Sequence, residues 1–305
     1  MTARASNGLI LPTDGQVRTG GARMIDIGGG YRVWTKKVGD SPIKVLLLHG
    51  GPGVDHTYFE CFEDFLPQNG IEFYYYDQLG STNSDKPDDP SLWRIERFRE
   101  EVEMVRKGLG LDQFYLLGSS WGGMLAIEYA LAYQQHLKGL IISNMDAGIP
   151  SMNEYTRELR AALPKEDSAI LDEYEKAKNF DAPEYQKVME KFARQHMCRL
   201  DPWPEPLIRT ARNRNFKIYN QMIGPNDLVV TGNLKNWDRW ADLPRIRTRT
   251  LVMGAKYDEI SPANLQKMAT IMPNARSWIS EIGSHVSMYD DQVPYFRELL
   301  TFLKA

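Results

Sequence analysis

The chain has 305 residues, 42% hydrophobic and 25% charged, with a formal net charge of −3. That is the make-up of an ordinary globular protein with one large domain, or one domain carrying an insertion. It excludes a basic footprint for nucleic acid or an anionic membrane surface, and no apolar run approaches the roughly 18 residues of a membrane helix.

Met1 to Thr19 is polar and lacks the charged-then-apolar order of a signal peptide. The two cysteines, Cys61 and Cys198, lie far apart, so two reduced thiols in a cytoplasmic protein are expected. Gln16–Thr19, Met24–Ile27 and Tyr31–Lys36 read as short edge strands joined by glycine turns. Lys44–Leu48 is continuously apolar after its first residue, as a strand buried on both faces would be. It runs into His49-Gly50-Gly51-Pro52-Gly53, whose glycines let backbone N–H groups approach a ligand. A second strand, Glu72–Tyr76, ends in Asp77-Gln78-Leu79-Gly80-Ser81. Leu92–Leu109 has helical spacing, Phe114 begins another strand, Trp121 to about His136 is a helix, and Leu140–Ser143 is the next strand. Strands alternating with helices at short intervals predict a parallel α/β sheet.

From 147 to 236 the pattern changes. Glu154–Leu163, Lys165–Asn179, Pro183–Arg199 and Pro206–Met222 have helical spacing with dense charge, and only Leu228–Thr231 reads as a strand. The sheet pattern returns at Thr248–Met253 and Ser277–Ser280, with helices at Leu265–Ile271 and Val293–Leu303. The expected organisation is therefore a core of 1–146 and 237–305 interrupted by a helical cap, 147–236; a second independent domain is the alternative.

The chemistry gathers at Phe114–Gly123, where four apolar residues lead into Gly-Ser-Ser-Trp-Gly-Gly. A strand, a tight turn and a helix are what a nucleophile elbow requires. Gly118 and Gly122 flank Ser120 at the two positions that must be small, whereas Ser119 would have Leu117 and Trp121 there. A serine hydroxyl needs a base, and the base needs an acid to orient it. In the order serine, acid, histidine, only His285 of the five histidines follows the last strand. Asp258 lies in the loop leaving Thr248–Met253, with Glu259 as its rival; Asp77 precedes the serine and is set aside. Backbone N–H groups of Trp121 and Gly51 are the expected oxyanion donors. No spacing suits a metal, no nucleotide fingerprint is present, and no cofactor is expected.

Taken together, His49-Gly50-Gly51-Pro52-Gly53, Asp77-Gln78-Leu79-Gly80, Gly118-Ser119-Ser120-Trp121-Gly122-Gly123 and Gly254-Ala255-Lys256-Tyr257-Asp258-Glu259 resemble the proline iminopeptidases. The resemblance extends from about residue 25 to the end, through Cys198–Pro204 and Met222–Asp227. It implies an α/β-hydrolase fold, a mostly parallel sheet with a helical cap, and release of an N-terminal residue, often proline, through an acyl-enzyme. It also implies that Asp227 and Glu259 hold the substrate's free amino group. Tricorn-interacting members of that family carry Glu where this chain has Asp227, a carboxylate shorter by about 1.5 Å. The implied partner is a peptide, amino-acid amide or ester with a free N-terminus. An amino-acid amidase or ester hydrolase on the same scaffold remains the alternative, a non-catalytic binding protein a further one, and oligomeric state is left open.

Overall fold

The computed structural model describes residues 2–4, 10–12 and 17–305, with side chains described from residue 17. Strands β1 (Thr2–Arg4) and β2 (Ile10–Pro12) form a separate antiparallel pair. The main sheet has eight strands: β3 (Ala22–Asp26), β4 (Arg32–Val38), β5 (Lys44–Leu48), β6 (Glu72–Asp77), β7 (Phe114–Ser119), β8 (Leu137–Ser143), β9 (Thr250–Ala255) and β10 (Ala275–Ser280). Their spatial order is β10-β9-β8-β7-β5-β6-β4-β3. β4 is antiparallel to both neighbours, and every other pairing is parallel.

Helices α1 (Ile95–Leu109) and α2 (Trp121–Tyr133) follow β6 and β7. Five more lie between β8 and β9: α3 (Ile149–Ala161), α4 (Lys165–Lys176), α5 (Pro183–His196), α6 (Glu205–Arg212) and α7 (Phe216–Met222). The chain closes with α8 (Pro262–Ile271), the single turn α9 (Ser287–Asp290) and α10 (Gln292–Lys304). The period-two alternation of the strands divides the core. Leu46, Leu48, Leu116 and Ile142 face α1, α2 and α8. Val45, Leu47, Leu117 and Ile141 face α10 and the 3-10 stretch His56–Asp64.

The strand order reverses beside β5, which has β6 on one side and β7 on the other. In an open α/β sheet the crevice at such a switch point, at the carboxyl ends of the strands, is where ligands bind. The loop His49–Gly53 leaves β5 there, and the Gly-Ser-Ser-Trp-Gly turn leaves β7 beside it.

The inserted helices are tied to the sheet at both ends and in the middle. The segments entering and leaving the insertion bond each other, Arg239 N–H to Ala147 O (2.7 Å) and Ile149 N–H to Trp237 O (2.9 Å). Buried Glu128 on α2 accepts from Trp237 Nε1 (2.7 Å) and Arg239 Nε (2.6 Å). Asp55 accepts from Thr210 Oγ1 (3.0 Å) and Asn213 Nδ2 (2.7 Å).

Four expectations differ locally. Of Gln16–Thr19, Gln16 lies outside the described residues and 17–19 are irregular. The expected edge strand Tyr31–Lys36 is β4, one in from the edge. The single helix expected over Pro206–Met222 is broken into α6 and α7, because Asn215 caps α7 and its side chain also donates to Gly80 O (3.1 Å). Leu228–Thr231 is no ladder strand. Asn226 Oδ1 accepts from Leu228 N–H (3.0 Å) and Val229 N–H (3.1 Å), which folds the segment into a turn.

Candidate active site

Ser120 sits between β7 and α2 with φ 55° and ψ −128°, outside the regions L-residues ordinarily occupy. Its N–H donates to Ser143 O (3.0 Å) and its carbonyl accepts from Gly123 N–H (2.7 Å), which over-determines the strained turn. A Cβ on Gly118 would collide with the Gly122 carbonyl, and one on Gly122 with the Leu48 carbonyl. The two glycines therefore let the strand, the turn and the β5 loop close on one another. Ser119, by contrast, is buried and lies against the Tyr58 hydroxyl.

His285 Nδ1 donates to Asp258 Oδ1 at 2.7 Å, and both side chains are buried. Asp258 Oδ1 also accepts from Ile260 N–H (3.1 Å), and Oδ2 accepts from Asn144 Nδ2 (2.7 Å). These donors fix the carboxylate, and the carboxylate fixes the imidazole tautomer with its proton on Nδ1 and Nε2 free. Glu259, the rival acid, stands 4.0 Å from the same Nδ1, beyond hydrogen-bond reach. The loops carrying Asp258 and His285 are joined by the end of α5. His196 Nδ1 donates to Tyr257 O (2.9 Å), while His285 N–H donates to His196 O (2.9 Å).

Trp121 is the first residue of α2, where a backbone N–H has no partner within the helix. In the β5 loop, Gly50 N–H is committed to Tyr58 Oη (2.6 Å), while the next residue, Gly51 (φ 29°), lines the same space as Ser120. Gln78 ties these two segments together. Its Nε2 donates to His49 O (3.1 Å), and its Oε1 accepts from Trp121 Nε1 (2.8 Å). His49 Nε2 accepts from Gln78 N–H (3.1 Å), leaving its Nδ1 proton for Gly50 O (2.9 Å). Burial pushes the His49 pKa down, so the ring is neutral and structural. Asp77 likewise serves the scaffold: it accepts from His56 N–H (2.9 Å) and Asn83 N–H (3.2 Å).

Ser120, His285, Asp227 and Glu259 line two connected spaces. One is an apolar recess of about 20 Å³ walled by Trp121, Met124, Met145, Met152 and Ile223. The other is a chamber of about 590 Å³ that reaches under the inserted helices to Phe192, Met197, Trp203 and Leu207. Asp227 Oδ1 accepts from the buried Tyr219 hydroxyl (2.7 Å), whose ring packs on Gly51. Among the described residues, no group of three or more His, Cys, Asp or Glu could hold a metal ion.

The sequence model described as the alpha/beta hydrolase fold matches residues 44–292. A proline iminopeptidase from Flavobacterium johnsoniae is 44% identical over 282 residues, covering 90% of this chain and 94% of that protein. The crystal structure of a proline iminopeptidase from Mycobacterium smegmatis superposes with a TM-score of 0.86 at 29% identity, over 93% of this chain and 97% of that one. The crystal structure of VinJ superposes with a TM-score of 0.88 at 30% identity, over 93% and 98%. The chain belongs to the proline iminopeptidase family of α/β-hydrolases.

In this family member, charge is concentrated at the recess. Burial, then the charge of Asp227, pushes the Glu259 pKa up to about 8. Burial works against protonation of His285, but the negative charges of Asp258, Glu259 and Asp227 outweigh it and raise its pKa to about 9. Both groups are therefore biased toward their protonated forms near neutral pH, and a cation placed between Glu259 and Asp227 would oppose that bias. Three supporting residues escaped the sequence reading. Gln78 and His196 bond through the folded chain alone, but Asn144 carries a local signal: an Asn ending a strand, here at φ 55°, a conformation Asn tolerates.

Proposed function

We propose that this protein is a serine aminopeptidase that releases N-terminal proline, or another small apolar residue, from peptides through an acyl-enzyme. The observation that carries the proposal is a single recess. There a strained serine and an Asp-oriented histidine share walls with two further carboxylates, Asp227 and Glu259.

In the proposed reaction the substrate's ammonium group lies between Glu259 and Asp227, and its small side chain lies against the apolar walls of the recess, which must widen from about 20 Å³ to take a proline ring. Ser120 Oγ attacks the carbonyl carbon while His285 Nε2 takes the hydroxyl proton. The oxyanion is held by the N–H groups of Gly51 and Trp121. His285 then protonates the leaving nitrogen, the C–N bond breaks, and water, deprotonated by the same imidazole, releases the acyl group. An internal peptide nitrogen carries no charge and would leave the buried Glu259 and the half-buried Asp227 without a cation between them, which restricts the enzyme to chain ends.

A panel of aminoacyl arylamides tests this reading. Proline and alanine derivatives should turn over, and lysine, glutamate and tryptophan derivatives should not. Equal or faster turnover of the charged or bulky derivatives would contradict it.

A further inference from the structure

The chamber contains a cation that the proposed reaction does not use. Arg214, between α6 and α7, lines the large chamber together with Ser120 and His285. Its guanidinium lies 4.5 Å over the Tyr219 ring, which fixes its direction. Its Nε is buried and has no hydrogen-bond partner. Two other arginines between the inserted helices and the core are paired: Arg209 with Glu60 at 2.8 Å and Arg239 with Glu128 at 2.6 Å. The charge of Arg214 acts on Glu259 nearby, but a buried N–H without an acceptor is costly unless something else completes it. The other cation lining the chamber, Lys187, is exposed and free to turn to water.

The two spaces divide the substrate. Asp227 and Glu259 line both, but Arg214 lines only the large chamber, not the apolar recess. With the amine end and the first side chain in the recess, the large chamber receives what lies beyond the scissile bond. An anion beyond that bond, on a short peptide, is the terminal carboxylate. A guanidinium offers it paired N–H donors in a planar fork.

We propose that Arg214 binds the C-terminal carboxylate of a short peptide, so that the enzyme favours dipeptides and tripeptides with a free C-terminus over their amides. This rests on the aminopeptidase reading above. Each residue extends the chain by about 3.3–3.6 Å, so whichever of the two lengths spans from Ser120 to Arg214 should show the larger effect.

The test compares kcat/KM for Pro-Ala and Pro-Ala-Ala with their C-terminal amides, in the unmodified enzyme, Arg214→Gln and Arg214→Lys. The unmodified enzyme should prefer the acid over the amide by roughly tenfold to a hundredfold at one of the lengths, mainly through KM. Arg214→Gln should bring that ratio near one, and Arg214→Lys should keep part of it. A ratio near one in the unmodified enzyme at both lengths overturns the proposal, and needs no variant to fold. So does a preference that survives Arg214→Gln. Equal losses on acid and amide in Arg214→Gln would make the residue a counter-charge for Glu259, and would also overturn it. Turnover of proline arylamide by the unmodified enzyme separates the two readings: without it the parent function fails, whereas turnover with a flat acid-to-amide ratio removes only the role of Arg214.

Discussion

Ser120 is held at φ 55° by glycines at 118 and 122 and by the bond from its own N–H to Ser143 O. Strain of this kind persists only where the surroundings over-determine it. If Ser120 is the nucleophile, Ser120→Ala should lower kcat by several orders of magnitude, up to about 10⁶. Ser119→Ala should change it little, and Asp258→Asn should cost about 10⁴ by favouring the wrong tautomer. A dead Ser119→Ala with an active Ser120→Ala would reverse the assignment. The pH profile is the second check at this scale. In the proposed reaction the neutral imidazole is the base, and the His285 pKa is raised to about 9, so active enzyme should accumulate only as pH rises through that value. An uncharged ester such as p-nitrophenyl acetate should therefore show its acid limb well above 6.5. A free-amine substrate brings a cation to Glu259 and Asp227, and the acid limb of its kcat should lie lower. Coincident limbs near 6.5 for both substrates would contradict the electrostatic account. Ser120, Asp258 and His285 could be named from sequence because chain order and loop position single them out, whereas the expectation for Asp227 and Glu259 came only from the family resemblance. Gln78 and His196 could not, because their hydrogen bonds join segments distant in sequence.

At the scale of elements, the site depends on two loops that meet at the reversal of strand order, one after β5 and one after β7. Gln78, from the loop after β6, is the tie between them, bonding His49 O and Trp121 Nε1. Gln78→Leu should leave the fold intact and let the Gly51 and Trp121 donors drift. We expect kcat to fall by roughly 10-fold to 100-fold with KM nearly unchanged, as for a weakened oxyanion site. A variant with unchanged kcat would show that the two loops hold their spacing without it. The central strands were legible because they are buried on both faces and read as unbroken apolar runs. The inserted helices were legible only in outline. Helical spacing ran across 213–215, but Asn213 and Asn215 turn the chain there by bonding Asp55 and Gly80, contacts that no local pattern carries.

Across the whole molecule, the inserted helices do more than cover the sheet. They supply Asp227 and the far wall of the chamber, and the end of α5 holds the loops of Asp258 and His285 together. In the proposed function, recognition of the chain end and the chemistry are thus built across the same junction. The central claim is that two carboxylates at that junction select a charged N-terminus. The most direct measurement is kcat/KM for proline arylamide against its N-acetyl form, in the unmodified enzyme, Glu259→Gln and Asp227→Asn. Acetylation removes the charge and sets bulk against the buried Glu259 and the half-buried Asp227, so the free amine should be preferred by at least about 10³. Each variant should lose most of that preference while still hydrolysing p-nitrophenyl acetate. Comparable kcat/KM for the free and acetylated substrates, with no substrate-dependent defect in either variant, would contradict the claim and leave a general serine hydrolase.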